Sequence, residues 1–146
     1  MSTIVLIPGA MHGAWVFEPL IAALASRGLS ATALDLPSSS ADTADIGSLT
    51  DDVEAIRSAV ADIDGPVVLA AHSYGGVPAR AAAAAADSVR GLVMIAAFSL
   101  PVGASLLDAQ GGEFPPGYER SADGKAVKIG NIAETIYSGV EIGRAS

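Results

Sequence analysis

The sequence predicts an α/β fold in which a four-stranded parallel sheet, in the strand order 2-1-3-4, carries helices on both faces. Two observations lead there. Apolar runs of about five residues alternate with longer segments of helical period, and the runs are nearly continuous in Val, Ile, Leu and Ala, as strands covered on both faces must be. The chain is also 51% hydrophobic and only 16% charged over 146 residues, the composition of one globular domain with a core of its own.

Thr3 to Ile7 is the first strand. A helix from about Ala14 to Arg27 follows and stops at Gly28, where a left-handed cap costs glycine little. Ser30 to Leu36 makes the second strand, and the polar stretch Pro37 to Gly47 a loop. Ser48 and Asp51 then have capping-box spacing. Leu49, Val53, Ile56, Val60 and Ile63 recur at intervals of four and three, so one apolar stripe of this helix faces a core. Asp64, Gly65 and Pro66 break it before the third strand, Val67 to Ala71. A Gly-Gly pair and an alanine-rich helix, about Val77 to Asp87, lead to the fourth strand, Gly91 to Phe98. Within that helix the run Ala81 to Ala86 reads as small side chains that let it lie close on the sheet. Beyond Pro101 the periodicity fades among Gly111, Gly112, Pro115, Pro116, Gly117 and Gly124, and only Ile132 to Tyr137 suggests a further helical turn.

Composition excludes several kinds of function. Eight basic against sixteen acidic residues leave a net charge of -8, which repels phosphate backbones and anionic lipid, so neither nucleic acid nor an acidic membrane is an expected partner. Without a single Cys there is no thiol catalysis, disulfide or thiolate metal site. The two histidines, His12 and His72, and the scattered carboxylates show no zinc-type spacing, so no metal and no cofactor is expected. The apolar start at Ile4 to Ile7 follows no basic region and stops at Pro8, short of a signal-peptide core or a membrane span, which makes a cytoplasmic setting the expectation.

The sharpest chemical signal is Ala71-His72-Ser73-Tyr74-Gly75-Gly76, placed between a buried strand and a helix. A serine on a tight strand-to-helix turn has a strained backbone, and small residues two before and two after it relieve the crowding, which is the nucleophile-elbow pattern. The same turn would put Ser73 at a helix N-terminus, where amides and the helix dipole favour a developing oxyanion. A plainer reading is that Ser73 only caps the helix. The second signal is the loop Pro8-Gly9-Ala10-Met11-His12-Gly13-Ala14-Trp15. With strands in the order 2-1-3-4, the loops after strands one and three diverge at the topological switch point, where such sheets bind ligands. The amide of Ala10 would then join that of Tyr74 as an oxyanion hole, and His12, His72 and Trp15 are candidate pocket-lining residues; the plainer reading is a turn without a ligand.

Ile4 to Trp15, Leu34-Asp35-Leu36-Pro37, the elbow Ala71 to Gly76 and Ile95-Ala96-Ala97-Phe98 together resemble the α/β-hydrolase superfamily, over roughly residues 3 to 110. The likeness is to its small esterase and hydroxynitrile-lyase-like branch, which begins with a similar Gly-Ala-x-His-Gly-x-Trp loop. The resemblance implies Ser73 as nucleophile, the backbone amides of Ala10 and Tyr74 as oxyanion donors, and a small ester as substrate. It also divides the chain into an incomplete core, 1-104, and a segment 105-146 that is either the start of a cap or a disordered tail. The departure is that the family's order runs Ser, acid, His, yet no His follows Ser73, so no triad acid or base is found. The expectation is the N-terminal half of such an enzyme, whether truncated, frame-shifted or one segment of a longer protein, and nearly inert by itself. His12 belongs to the first loop as a structural residue, and Asp35 and Asp45 have no later histidine to orient.

Two other classes stay open. Gly9-x-x-x-Gly13 after strand one, with Asp35 ending strand two, is the outline of a dinucleotide-binding oxidoreductase, although Trp15 sits where close helix packing wants a small side chain and no Tyr-x-x-x-Lys pair occurs. A non-catalytic binding module on the same scaffold is the other. An uncharged fourth strand without Pro would offer an edge for self-association, or for a missing C-terminal half.

Overall fold

In the computed structural model, which describes residues 1–40, 45–101, 103–124 and 126–131, the apolar runs form four parallel strands: β1 (Thr3–Ile7), β2 (Ser30–Ala33), β3 (Val67–His72) and β4 (Val89–Ile95). Their order is β2-β1-β3-β4, as expected. Val5 stands opposite Thr32 on one side and Leu69 on the other, and Leu69 in turn opposite Leu92. Because side chains alternate along a strand, Val5, Ile7, Leu69 and Ala71 point to one face and Leu6 and Ala70 to the other.

Helices α2 (Leu49–Ala61) and α3 (Gly76–Ala83) cover the first face, with Ile56, Val60, Ala79 and Ala82 packed on the strand residues. Ala79 and Ala82 are fully buried, so the alanine-rich helix does lie close to the sheet. On the opposite face α1 (Glu18–Ala25) and the 3-10 turn before it bring Phe17, Val16 and Ile21 onto Leu6 and Ala70.

Several boundaries differ from the sequence reading, each for a physical reason. β2 ends at Ala33 instead of Leu36. The Leu34 amide still donates to the Leu6 carbonyl at 3.3 Å, but the next donor on β1 would be residue 8, and Pro8 has no N–H. β4 runs from Val89 to Ile95 and stops at Ala96, whose φ of 43° leaves the extended region. α1 starts later than Ala14, because Ala14–Phe17 winds as a 3-10 turn, and it ends three residues before Gly28, which has the expected left-handed φ of 74°. α3 closes at Ala83, where Ala85 and Ala86 switch to bonds with residues three back.

The stripe of α2 also needs correcting. Ile56 and Val60 are buried and Val53 and Ile63 pack beside them, but Leu49 is 40% exposed, and Asp52 takes the inward position in its place. The capping box is present. The Ser48 amide donates to the Asp51 carboxylate at 2.7 Å, and the Asp51 amide returns a bond to the Ser48 hydroxyl at 3.3 Å. The Ser48 amide first, and its hydroxyl second, hold the Asp51 carboxyl below its usual value of 3.8. A depressed carboxyl adds stability that is present above that value and is lost as the pH falls through the folded one. Ser48→Ala should lower the stability of the fold by about 1 kcal/mol, read as a lower urea midpoint at unchanged slope.

The chain divides into two compact units, Met1–Leu106 and Leu107–Ser146. The helical turn α4 (Leu106–Ala109) stands at the boundary. In the second unit β5 (Tyr118–Arg120) and β6 (Val127–Ile129) pair as an antiparallel hairpin, and the Arg120 guanidinium lies 5.0 Å over the Phe114 ring. The suggested helical turn Ile132 to Tyr137 falls outside the described residues. Among the described residues, no helix is long and apolar enough to cross a membrane, and no cluster of three potential metal ligands occurs.

Candidate active site

β3 delivers Ser73 to the end of the sheet and α3 leads away from it, so the chain must reverse direction within a few residues. It does so with Ser73 at φ 50°, a left-handed conformation that a serine adopts only under constraint. The constraints are visible on all sides. A Cβ on Gly75 would collide with the Pro8 carbonyl oxygen and come within 2.9 Å of the Ile7 carbonyl, and one on Gly76 would come within 2.5 Å of the Phe98 carbonyl. Ala71 is fully buried on the near side. The Phe98 amide donates to the Ser73 carbonyl at 3.0 Å, pinning the turn from beyond β4.

The first loop touches this turn directly. A Cβ on Gly9 would be 3.0 Å from the Ser73 Cβ and 3.0 Å from Nδ1 of His72, so a larger residue there would make both give way by a few tenths of an ångström. Ala10 follows Gly9 immediately, so the loop and the elbow meet in one place. His12, His72 and Trp15 gather there as well: the His12 ring centroid is 6.1 Å from that of Trp15 and 6.4 Å from that of His72. Trp15 is 63% exposed, an unusual position for the chain's one tryptophan. Burial, and secondarily the nearby His12, hold the His72 imidazole below the ordinary histidine value, so it is neutral at pH 7. His12 sets Nδ1 2.9 Å from the Ala10 carbonyl oxygen, a contact that shapes the loop.

Asp35, Ser39 and Asp52 hold these two segments; the sequence offered Asp35 as a ribose or triad acid and gave the other two no role. Asp35 accepts the Ala14 amide at 2.7 Å, and a Cβ on Gly13 would fall 2.6 Å from the same oxygen. The carboxylate placed for a ribose in the dinucleotide reading is thus committed to the loop itself. Ser39 accepts the Met11 amide at 3.1 Å, where Met11 has φ 63°. Asp52, fully buried, accepts the Tyr74 hydroxyl at 2.7 Å through one oxygen and the Ser38 amide at 2.9 Å through the other. Burial, and then that bond to Asp52, push the Tyr74 phenol well above its usual value, so it stays a hydrogen-bond donor. One signal pointed to Asp52: it lies four residues before Ile56 and eight before Val60, on the stripe that faces the core.

The chain matches the model of the Alpha/beta hydrolase family over residues 4–138. It is 36% identical over 100 residues to Esterase PIR7B of Oryza sativa subsp. japonica, and 33% identical over 105 residues to Methylesterase 7 of Arabidopsis thaliana. Each alignment covers 64% of this chain but only 37% and 39% of those relatives, so the chain spans under two fifths of their length. Among solved structures, a polyneuridine aldehyde esterase mutant superposes with a TM-score of 0.66 at 27% identity, covering 79% of this chain and 49% of that one.

Proposed function

Since this chain belongs to the alpha/beta hydrolase family, we propose that Ser73 is the nucleophile of acyl transfer from a small carboxylic ester, and that the backbone amides of Ala10 and Tyr74 hold the oxyanion. The observation that carries this reading is the constrained φ of 50° at Ser73, with Gly9 and Gly75 fitted against the turn. Such strain survives only where its surroundings over-determine it, and it aims the side chain out of the turn. The likeness to proteins named as esterases supports the ester as substrate class.

In this chemistry the Ser73 oxygen bonds to the carbonyl carbon, and the carbonyl π pair moves onto oxygen between the two amides. Collapse of that intermediate expels the alcohol, which takes up a proton, and leaves an acyl-serine for water to cleave. The proton leaving Ser73 needs a base. No histidine follows Ser73 in these 146 residues, and His12 is turned to the Ala10 carbonyl. We therefore assign the base to no residue of this chain, and place His12, His72 and Trp15 in the pocket wall. The open edge of β4 is assigned to a second copy of the chain.

The 146-residue chain should hydrolyse p-nitrophenyl acetate negligibly, and Ser73→Ala should change little. Triad knockouts keep on the order of a thousandfold acceleration from the oxyanion site and binding. Added imidazole, as an external base, should therefore raise turnover in the wild-type chain above that in Ser73→Ala. Equal rates at every imidazole concentration would remove the nucleophile. Robust turnover without imidazole that Ser73→Ala abolishes would instead point to an internal base, and His12→Ala would test it.

A further inference from the structure

Two non-glycine residues of the site region have left-handed backbone, Met11 at φ 63° and Ser73 at φ 50°. Each such conformation costs on the order of 1–3 kcal/mol and relaxes unless neighbours hold it. The amides proposed to bind the oxyanion belong to the residues beside them, Ala10 and Tyr74, and such donors work only when placed within a few tenths of an ångström. What keeps the two in register is therefore part of the chemistry.

Three hydrogen bonds and the peptide link between Ser38 and Ser39 connect Tyr74 to Met11, the neighbour of Ala10. The Tyr74 hydroxyl donates to Asp52, Asp52 also accepts the Ser38 amide, and Ser39 beside it accepts the Met11 amide. Residues 37–39 form a short 3-10 turn, and Asp52 sits in the first helical turns of α2, with its own amide bonded to the Ser48 carbonyl. Both anchors are thus built into hydrogen-bonded backbone. Asp52 is the chain's buried charged residue among those described, with both carboxylate oxygens engaged by donors, a costly arrangement if it did nothing but fill space.

We propose that Asp52 is a positioning residue of the oxyanion site, holding Tyr74 of the elbow and, through the 37–39 turn, Met11 of the first loop in one register. The inference rests on the acyl-transfer reading of Ser73. A side chain 22 residues before its partner in the sequence would then set the spacing between two amides that it never touches.

The test uses an alkyl fluorophosphonate with imidazole supplied as external base: the Ser73 oxygen bonds to phosphorus, fluoride leaves, imidazole takes the hydroxyl proton, and intact mass gives a limiting rate separated from half-saturation. The wild-type chain should be labelled and Ser73→Ala should not. Tyr74→Phe, Asp52→Asn and Ser39→Ala should each lower the limiting rate about tenfold at unchanged half-saturation, because the donors shift while the pocket stays. Tyr74→Phe combined with Asp52→Asn should be no slower than the slower single variant, since both act through one bond. If Asp52→Asn fails to fold, Tyr74→Phe and Ser39→Ala decide alone. Lower melting temperatures with unchanged limiting rates would overturn the positioning role and leave the nucleophile standing. Absence of labelling in the wild-type chain beyond Ser73→Ala would overturn both.

Discussion

Gly75→Ala should destabilise the first unit by about 3 kcal/mol, the upper end of what overpacking costs. The added methyl would meet the Pro8 and Ile7 carbonyl oxygens, and both belong to backbone that cannot swing aside. Pro8 is buried at the end of β1, and Ile7 is fully buried in the core. Relief would require α3 to lift from the sheet, taking Ala79 and Ala82 with it. Conformational freedom is not the reason for glycine here, because Gly75 has an ordinary helical φ of -53°. Gly91→Ala is the matched control: there a Cβ meets only Val68 methyls at 3.9 Å, an ordinary contact. Urea midpoints should separate the two substitutions clearly. If Gly75→Ala matched Gly91→Ala, the close approach of elbow and first loop would be wrong, and the candidate site with it.

The second large effect concerns association. β4 pairs with β3, and among the described residues no strand lies on its other side. Val93 is 49% and Ile95 37% exposed along it; the strand is not uncharged as expected, since it begins earlier and takes in the exposed Arg90, but from Leu92 to Ile95 it has neither charge nor proline to blunt the edge. Two copies can lay these edges antiparallel about a two-fold axis, which satisfies the free N–H and C=O groups of both. The chain should therefore sediment as a dimer or larger species at micromolar concentration. Val93→Lys with Ile95→Lys should shift it toward monomer by setting like charges at the shared edge. A wild-type monomer whose β4 amides exchange rapidly with solvent would refute this.

The elbow was legible in the sequence because it is local, and the strands because each buried run is continuous and set off by a helical segment. A buried strand, Ala71-x-Ser73-x-Gly75 and a helix lie within a few residues of one another, and the glycines mark where backbones meet. Strand ends were less legible, since they depend on the neighbour: β2 looks apolar through Leu36, but its ladder stops because Pro8 on the adjacent strand has no N–H to offer. Ser38, Ser39 and Asp52 read as ordinary polar residues of a loop and a helix start, and Asp35 as a ribose or triad acid rather than a loop anchor. Ala14, Met11 and Tyr74, the partners of Asp35, Ser39 and Asp52, lie 21 to 28 positions away, and Ser38 and Asp52 are 14 apart, at no repeating interval. Only the four-residue spacing of Asp52, Ile56 and Val60 left a trace.

The bond from the Phe98 amide to the Ser73 carbonyl means that the chain leaves the sheet from beside its own serine. Whatever is spliced in after Phe98 begins 3.0 Å from the elbow, while the loop at 8–15, the 37–39 turn and α2 are already complete upstream. A residue added or removed between Ile95 and Phe98 would therefore be felt at the serine itself, because the strand's exit and the turn are tied by the same bond.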